Sequence, residues 1–255
     1  MRAGRKISLL AFLAALGAAC GLFAPRPETG QPRAKSSPYP PNLTFDASRR
    51  EQALAAWTQL VRNQGIERAP NPELDPVMAT IRALPALPTR LRLPRLGLQQ
   101  MMSEDELREA ARRFIAAYGT LLGTEPTALS LVAVEDGPQG SRVLRYQQSA
   151  FVYPLVNGYG AVEITTLPDG QLLNLSSSAI PDARRVTRSV AELRPTISAE
   201  QAVRRAGGTA VRRLVIFPIA QTPSTLNLHL AWEVVGQGAP VYIDARTGES
   251  LAAQR

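Results

Sequence analysis

The chain has 255 residues, 45% hydrophobic and 20% charged, enough apolar material for one or two domains and incompatible with a wholly disordered or collagen-like polymer. A net charge of +8 rests almost entirely on arginine, 27 of the 29 basic residues, which stays charged at any physiological pH and favours carboxylate or phosphate partners. One histidine and one cysteine exclude an internal disulfide, a histidine-pair zinc site and most histidine-centred general-base chemistry.

Arg2, Arg5 and Lys6 precede an apolar run over 7–19 that ends in small residues, the order of charge, hydrophobic stretch and cleavage site found in a secretory signal. Thirteen residues are too few to span a bilayer comfortably. The segment Leu16-Gly17-Ala18-Ala19-Cys20 resembles the lipobox of bacterial lipoproteins, although the leucine stands four places before the cysteine and Gly17 fills the usual slot. That resemblance implies cleavage after residue 19, lipidation of Cys20 and an exported chain anchored in the cell envelope. Ordinary signal-peptidase cleavage, giving a secreted soluble protein, is the alternative. Residues 20–41 read as a tether, because the six prolines within 24–41 lie among polar residues with almost no aliphatic side chains.

Ala53, Leu54, Trp57, Leu60 and Val61 recur at three- and four-residue steps and predict an amphipathic helix over 48–61, closed by Gly65. Prolines at 85, 88 and 94 break any long element in 70–94. Ser103-Glu104-Asp105-Glu106 is a capping box opening a second helix, with Leu107, Ala110, Ala111, Phe114, Ile115 and Tyr118 on one face, that ends near Gly119 or Gly123. The period then changes to two: 129–134, 142–148, 159–167 and 171–178 read as strands, the last two joined by the tight turn Pro168-Asp169-Gly170. A smaller version follows. Ser198-Ala199-Glu200-Gln201 caps a short helix stopped by Gly207-Gly208, and strands are expected at 213–219, 226–235 and 240–244. The class is α+β, two successive modules over 42–183 and 184–255, each a helix packed on an antiparallel sheet.

Arg145-Tyr146-Gln147-Gln148, then Pro154, Asn157-Gly158, a strand, Asp169-Gly170, a strand and Ile180-Pro181-Asp182 resemble the fungalysin/thermolysin propeptide motif. Val152 stands where that family usually has glycine and Asn157 replaces the first glycine of a pair, so the bend between the strands is expected to differ. Pro195 through Ala202, Leu230-Ala231-Trp232-Glu233-Val234 and the stretch from Val241 to Glu249 resemble a PepSY module. Together the two resemblances cover roughly 103–251. They imply cystatin-like and PepSY-type folds, and a prodomain that inhibits a thermolysin-like metalloprotease and assists its folding. No HExxH motif occurs in the chain.

His229 alternates with Leu226, Leu228, Leu230, Trp232 and Val234 and is expected to be a solvated strand residue. Asp244, Thr247 and Glu249 read as turn chemistry, their oxygens bonding nearby amides, in preference to an acid/base cluster or a calcium site. Arg145 and Gln147 share one face of their strand, Tyr146 and Gln148 the other. Cross-strand pairing and contact with a protease partner both remain open for these four residues. Over 184–213 eight arginines stand against Glu192 and Glu200, a local excess of six charges suited to an acidic protein or an anionic envelope surface. Nucleic acid is not expected, since export removes the chain from it and no aromatic platform accompanies the arginines.

The expectation is therefore a non-catalytic envelope lipoprotein without cofactor or metal. It is attached to the membrane through Cys20 and binds a secreted thermolysin-like metalloprotease in trans as inhibitor or folding assistant. The alternative is a structural or adaptor lipoprotein holding another envelope protein.

Overall fold

Asp46 opens the first helix: its carboxylate accepts the Arg49 N–H at 3.2 Å, and Ala47–Asn63 (α1) follows a three-residue strand, Asn42–Thr44 (β1). The computed structural model describes residues 38–97 and 100–252, so the expected signal, Cys20 and most of the tether lie outside the described residues. Ala53, Trp57, Leu60 and Val61 are buried, as their spacing predicts. The proline-broken stretch beyond Gly65 holds two short strands, Glu73–Leu74 (β2) and Ile81–Ala83 (β3), paired antiparallel. Farther on, Leu93 donates its N–H to Gly170 and the Leu91 carbonyl accepts from Leu172, so the segment with the brief apolar alternation of Leu91 and Leu93 is sewn to a sheet edge.

Ser103 and Glu106 form the reciprocal capping box, with bonds of 3.3 and 2.9 Å, and start Glu104–Ala117 (α2). A short helix, Gly119–Leu122 (α3), stops at Gly123 in the left-handed region. Leu129–Asp136 (β4), Arg142–Gln148 (β5), Ala161–Thr166 (β6) and Leu172–Ser177 (β7) form an antiparallel sheet in sequential order. Trp57, Leu60, Phe114, Ile115 and Leu121 from the helices pack with Leu144, Val162, Ile164 and Leu175 from the strands. Between β5 and β6 the chain turns through Asn157 at φ +59 and Gly158 at +77, both in the left-handed region. Val152, in the link between the two strands, is 62% exposed.

Gly123 has no acceptable replacement. Its φ is +69, and a Cβ there would lie 2.5 Å from the Thr80 methyl, which cannot swing aside because Thr80 Oγ1 donates to the Ser177 carbonyl at 2.7 Å. Gly123→Ala is expected to cost about 1–3 kcal/mol in urea unfolding.

The second half begins with a helix that the sequence reading did not contain, Ala183–Ala191 (α4), followed by Ala199–Ala206 (α5) with the Ser198/Gln201 capping box and a stop at left-handed Gly207. Ala210–Thr222 (β8), Thr225–Val235 (β9), Val241–Asp244 (β10) and Ser250–Leu251 (β11) complete the elements. β9 is central: β8 pairs along one side, while β1 and β10 divide the other, with Leu43 opposite Leu226 and Ile243 opposite Trp232. Val186 and Val190 of α4 pack with Ile216, Leu226, Leu228 and Leu230, and Ala202 of α5 packs with Val234 and Ile243. The class is thus α+β, with helices against antiparallel sheets in both halves. Although β1 precedes the first sheet in sequence, it is a strand of the second.

Candidate functional site

Alternation along β5 divides the Arg-Tyr-Gln-Gln stretch between two jobs. Gln148, buried, grips the backbone of Ile180: Nε2 donates to its carbonyl at 3.0 Å and Oε1 accepts its N–H at 2.8 Å. This double bond fixes the chain as it leaves β7 for α4. Tyr146 is also buried, and burial pushes its hydroxyl up to about 12. It lies in a groove of about 420 Å³ between α2 and β4, with Arg108, Arg112, Leu129 and Leu131.

Arg145 and Gln147 are the outward pair. Arg145 bridges Glu135 on β4 at 3.0 Å and Glu163 on β6 at 3.1 Å, so its cross-strand pairing is realised. Gln147 donates to the Tyr159 carbonyl at 3.1 Å and steadies the link from β5 to β6. Glu163 also lines a polar groove of about 500 Å³ with Asp75, Arg82, Tyr159, Ser176 and Ser178. Burial, and then the Asp75 carboxylate, raise the Tyr159 hydroxyl pKa, while Arg82 works in the opposite direction. The outward face therefore presents two carboxylates, the Arg82 guanidinium, a phenol and small hydroxyls around one groove, with Arg145 joined to it through Glu163, an arrangement suited to hydrogen-bonding a polar segment of a partner.

His229 departs from expectation. It is not a solvated strand residue: its Nδ1 meets Asp244 Oδ2 at 2.7 Å, and only 17% of its side chain is exposed. The same oxygen accepts from the Tyr39 hydroxyl at 2.8 Å, and that hydroxyl in turn accepts the Leu230 N–H at 3.2 Å. Arg246 lies over the Tyr39 ring, 4.9 Å from its centroid. The other Asp244 oxygen accepts the N–H groups of Arg246 and Thr247 at 2.8 and 2.9 Å, and Thr247 Oγ1 accepts from Glu249, which is the turn chemistry expected of this stretch. Burial pushes the Asp244 carboxyl up, but the bonds from His229, Thr247, Arg246 and Tyr39 together outweigh it and hold the group below its ordinary range. Burial and the neighbouring Asp244 carboxylate push the Tyr39 hydroxyl far up.

This cluster closes a gap in the second sheet. Beside residues 228–230 of β9, β1 has not yet begun and β10 has ended; Leu228 donates to the Pro41 carbonyl, Leu230 to Tyr39, and Ala245 donates to the Leu230 carbonyl. The end of the expected tether is therefore part of the fold. An Asp–His pair also forms the orienting half of a nucleophilic triad, but here the hydroxyl bonded to the dyad is that of Tyr39, and it shares the aspartate oxygen instead of meeting the free imidazole nitrogen. Sequence reading missed the cluster because its members lie 15 and 190 residues from His229, with no local pattern to join them.

Among the described residues no group of three or more His, Cys, Asp or Glu side chains is placed to hold a metal ion. No described helix is long and apolar enough to cross a membrane.

No protein-family model matches the chain, and no curated protein does. Among solved structures it is similar to the YpeB C-terminal domain of Bacillus megaterium, at 15% identity and a TM-score of 0.31 over 61% of this chain and 66% of that one. It is also similar to an uncharacterized protein from Eubacterium rectale, at 10% identity and a TM-score of 0.32 over 84% of this chain and 85% of that one. The chain thus spans 66% of the length of the YpeB domain, and its α+β class stands on its own elements.

Proposed function

We propose that the chain is a non-catalytic envelope lipoprotein that binds a secreted thermolysin-like metalloprotease in trans, as inhibitor or folding assistant. The observation that carries this reading is the outward presentation of Arg145 and Gln147 beside a polar groove, on the strand whose Arg-Tyr-Gln-Gln sequence resembles the protease propeptide motif. Signal-like residues ahead of Cys20 support export, and the resemblance of 16–20 to a lipobox supports the anchor. The second resemblance, to a PepSY module, falls on the start of α5, on β9 and β10 and on the turn that follows.

Two substitutions test the parts separately. Cys20→Ala is expected to move the protein from the membrane fraction to the soluble fraction of cells; unchanged sedimentation with membranes would end the lipid-anchor reading. Arg145→Glu is expected to weaken inhibition of, or assistance to, a thermolysin-like protease from the same genome by roughly tenfold or more, because it inverts the charge beside the groove and sets a carboxylate against Glu163, which lines it. Equal potency of wild type and variant would remove this face from the interface.

A further inference from the structure

The arginines of α4 are arranged differently from those of α2. On α2, Arg108 reaches Glu104 and Asp105, while Arg112 and Arg113 both bind Glu109. On α4, Arg185 has Asp182, but Arg184 and Arg188 have no carboxylate within 4 Å among the described residues. Both are exposed and stand one turn apart, on the face opposite buried Val186 and Val190. Arg188 spends one Nε–H on the Arg184 carbonyl at 3.4 Å, which leaves the ends of both guanidinium groups open.

Exposed apolar residues lie close in the chain to groups that contact α4 or its cap. At the start of α4, Arg49 joins Asp182 at 3.3 Å and Asp46 at 3.6 Å, and the residue before Asp46 is Phe45, 48% exposed. Along the helix, Thr187 donates to the Ala150 carbonyl at 3.1 Å, and two residues beyond Ala150 stands Val152. Exposed arginines without carboxylate partners, with exposed apolar residues nearby in the chain, have the composition of an interfacial surface, where guanidinium groups meet phosphates and apolar tips enter the headgroup boundary.

We infer that the outer face of α4, through Arg184 and Arg188 and with help from the exposed side chain of Phe45, docks on an anionic phospholipid bilayer. The inference rests on the envelope reading above, which brings the folded unit to such a surface, and adds how that unit lies against it. The valines hold α4 to the sheet, so the helix stays folded against the protein and only its outer side chains touch lipid.

The test uses the chain from residue 20 onward carrying Cys20→Ala, so that no lipid contributes; Ser37–Arg255 forms a compact unit of its own. Sedimentation with vesicles of phosphatidylcholine alone, and of phosphatidylcholine with about one third phosphatidylglycerol, is expected to show binding only to the anionic vesicles, reversed by about 0.5 M salt. Arg184→Gln with Arg188→Gln is expected to lower that binding roughly thirtyfold, since each arginine near the surface contributes about one charge's worth of attraction. Phe45→Ser is expected to lower it severalfold. Arg62→Gln with Arg68→Gln makes the same charge change toward the far end of α1, about 20 Å from Arg49 along the helix, and is expected to alter binding by less than about twofold. Equal binding to both vesicle types, or equal loss in the two arginine pairs, would overturn the inference. So would no binding to anionic vesicles, and if an acidic protein were then retained through Arg184 and Arg188, the surface would belong to that protein. Because the sample carries no lipid and no protease is present, these outcomes are independent of the Cys20 fractionation and the protease titration.

Discussion

Replacing Asp244 with alanine is expected to destabilise the folded chain by about 3–5 kcal/mol, read as a fall in the urea midpoint at unchanged slope. Its carboxylate is 1% exposed and accepts from four groups: the Arg246 and Thr247 amides, the Tyr39 hydroxyl and His229 Nδ1. Alanine leaves these donors without an acceptor and frees Tyr39, whose hydroxyl also satisfies Leu230 on the central strand. Against a total of about 5–15 kcal/mol for an ordinary domain, the loss is a large share. The pH dependence has a definite sign. The native pKa of Asp244 lies below its ordinary value, so its stabilisation is complete above the unfolded value of about 4 and fades as pH falls through the native one. Asp244→Asn is expected to flatten the stability curve in that acid window, and an unchanged acid limb would show that the carboxylate charge contributes nothing.

The second large effect is expected at Gln148. Gln148→Leu keeps the side-chain volume approximately but leaves the Ile180 N–H and C=O buried without partners, a cost of about 2–4 kcal/mol at the passage from β7 to α4. Gln148→Glu distinguishes the two bonds: a carboxylate still accepts the Ile180 N–H but, when ionised, cannot donate to its carbonyl. It is expected to be less stable at neutral pH than at mildly acidic pH, where the acid form regains a donor. Equal thermal midpoints for Gln148→Leu and wild type would show that the pair of bonds does not hold this junction.

Elements with a local cause were legible in the sequence. Ser103 with Glu106 and Ser198 with Gln201 cap helices whose apolar spacing is plain, and Pro168-Asp169-Gly170 turns where a left-handed glycine is required. Helix α4 was not: Asp182 precedes it at φ +54 and makes no side-chain cap, and only Val186 and Val190 mark its buried face among arginines. β1 is three residues long and pairs with a strand some 180 residues away, so its position follows from tertiary packing alone. Tyr39 lies in a proline-rich run, where composition indicates an extended tether and says nothing of a phenol reaching Asp244. The candidate site shows the same division. Facing along β5 follows from alternation, whereas the clamp of Gln148 on Ile180 joins residues 32 apart.

Binding to a protease is read by calorimetric titration of the purified chain into a secreted thermolysin-like protease of the same genome, with peptidase activity followed in parallel. Saturable binding at one chain per protease is expected, with a negative heat-capacity change from the buried surface and a change in peptidase activity or refolding yield that ends at the same ratio. An absence of binding to any such protease would contradict the proposed function, as would sustained heat from a substrate turned over by this chain alone.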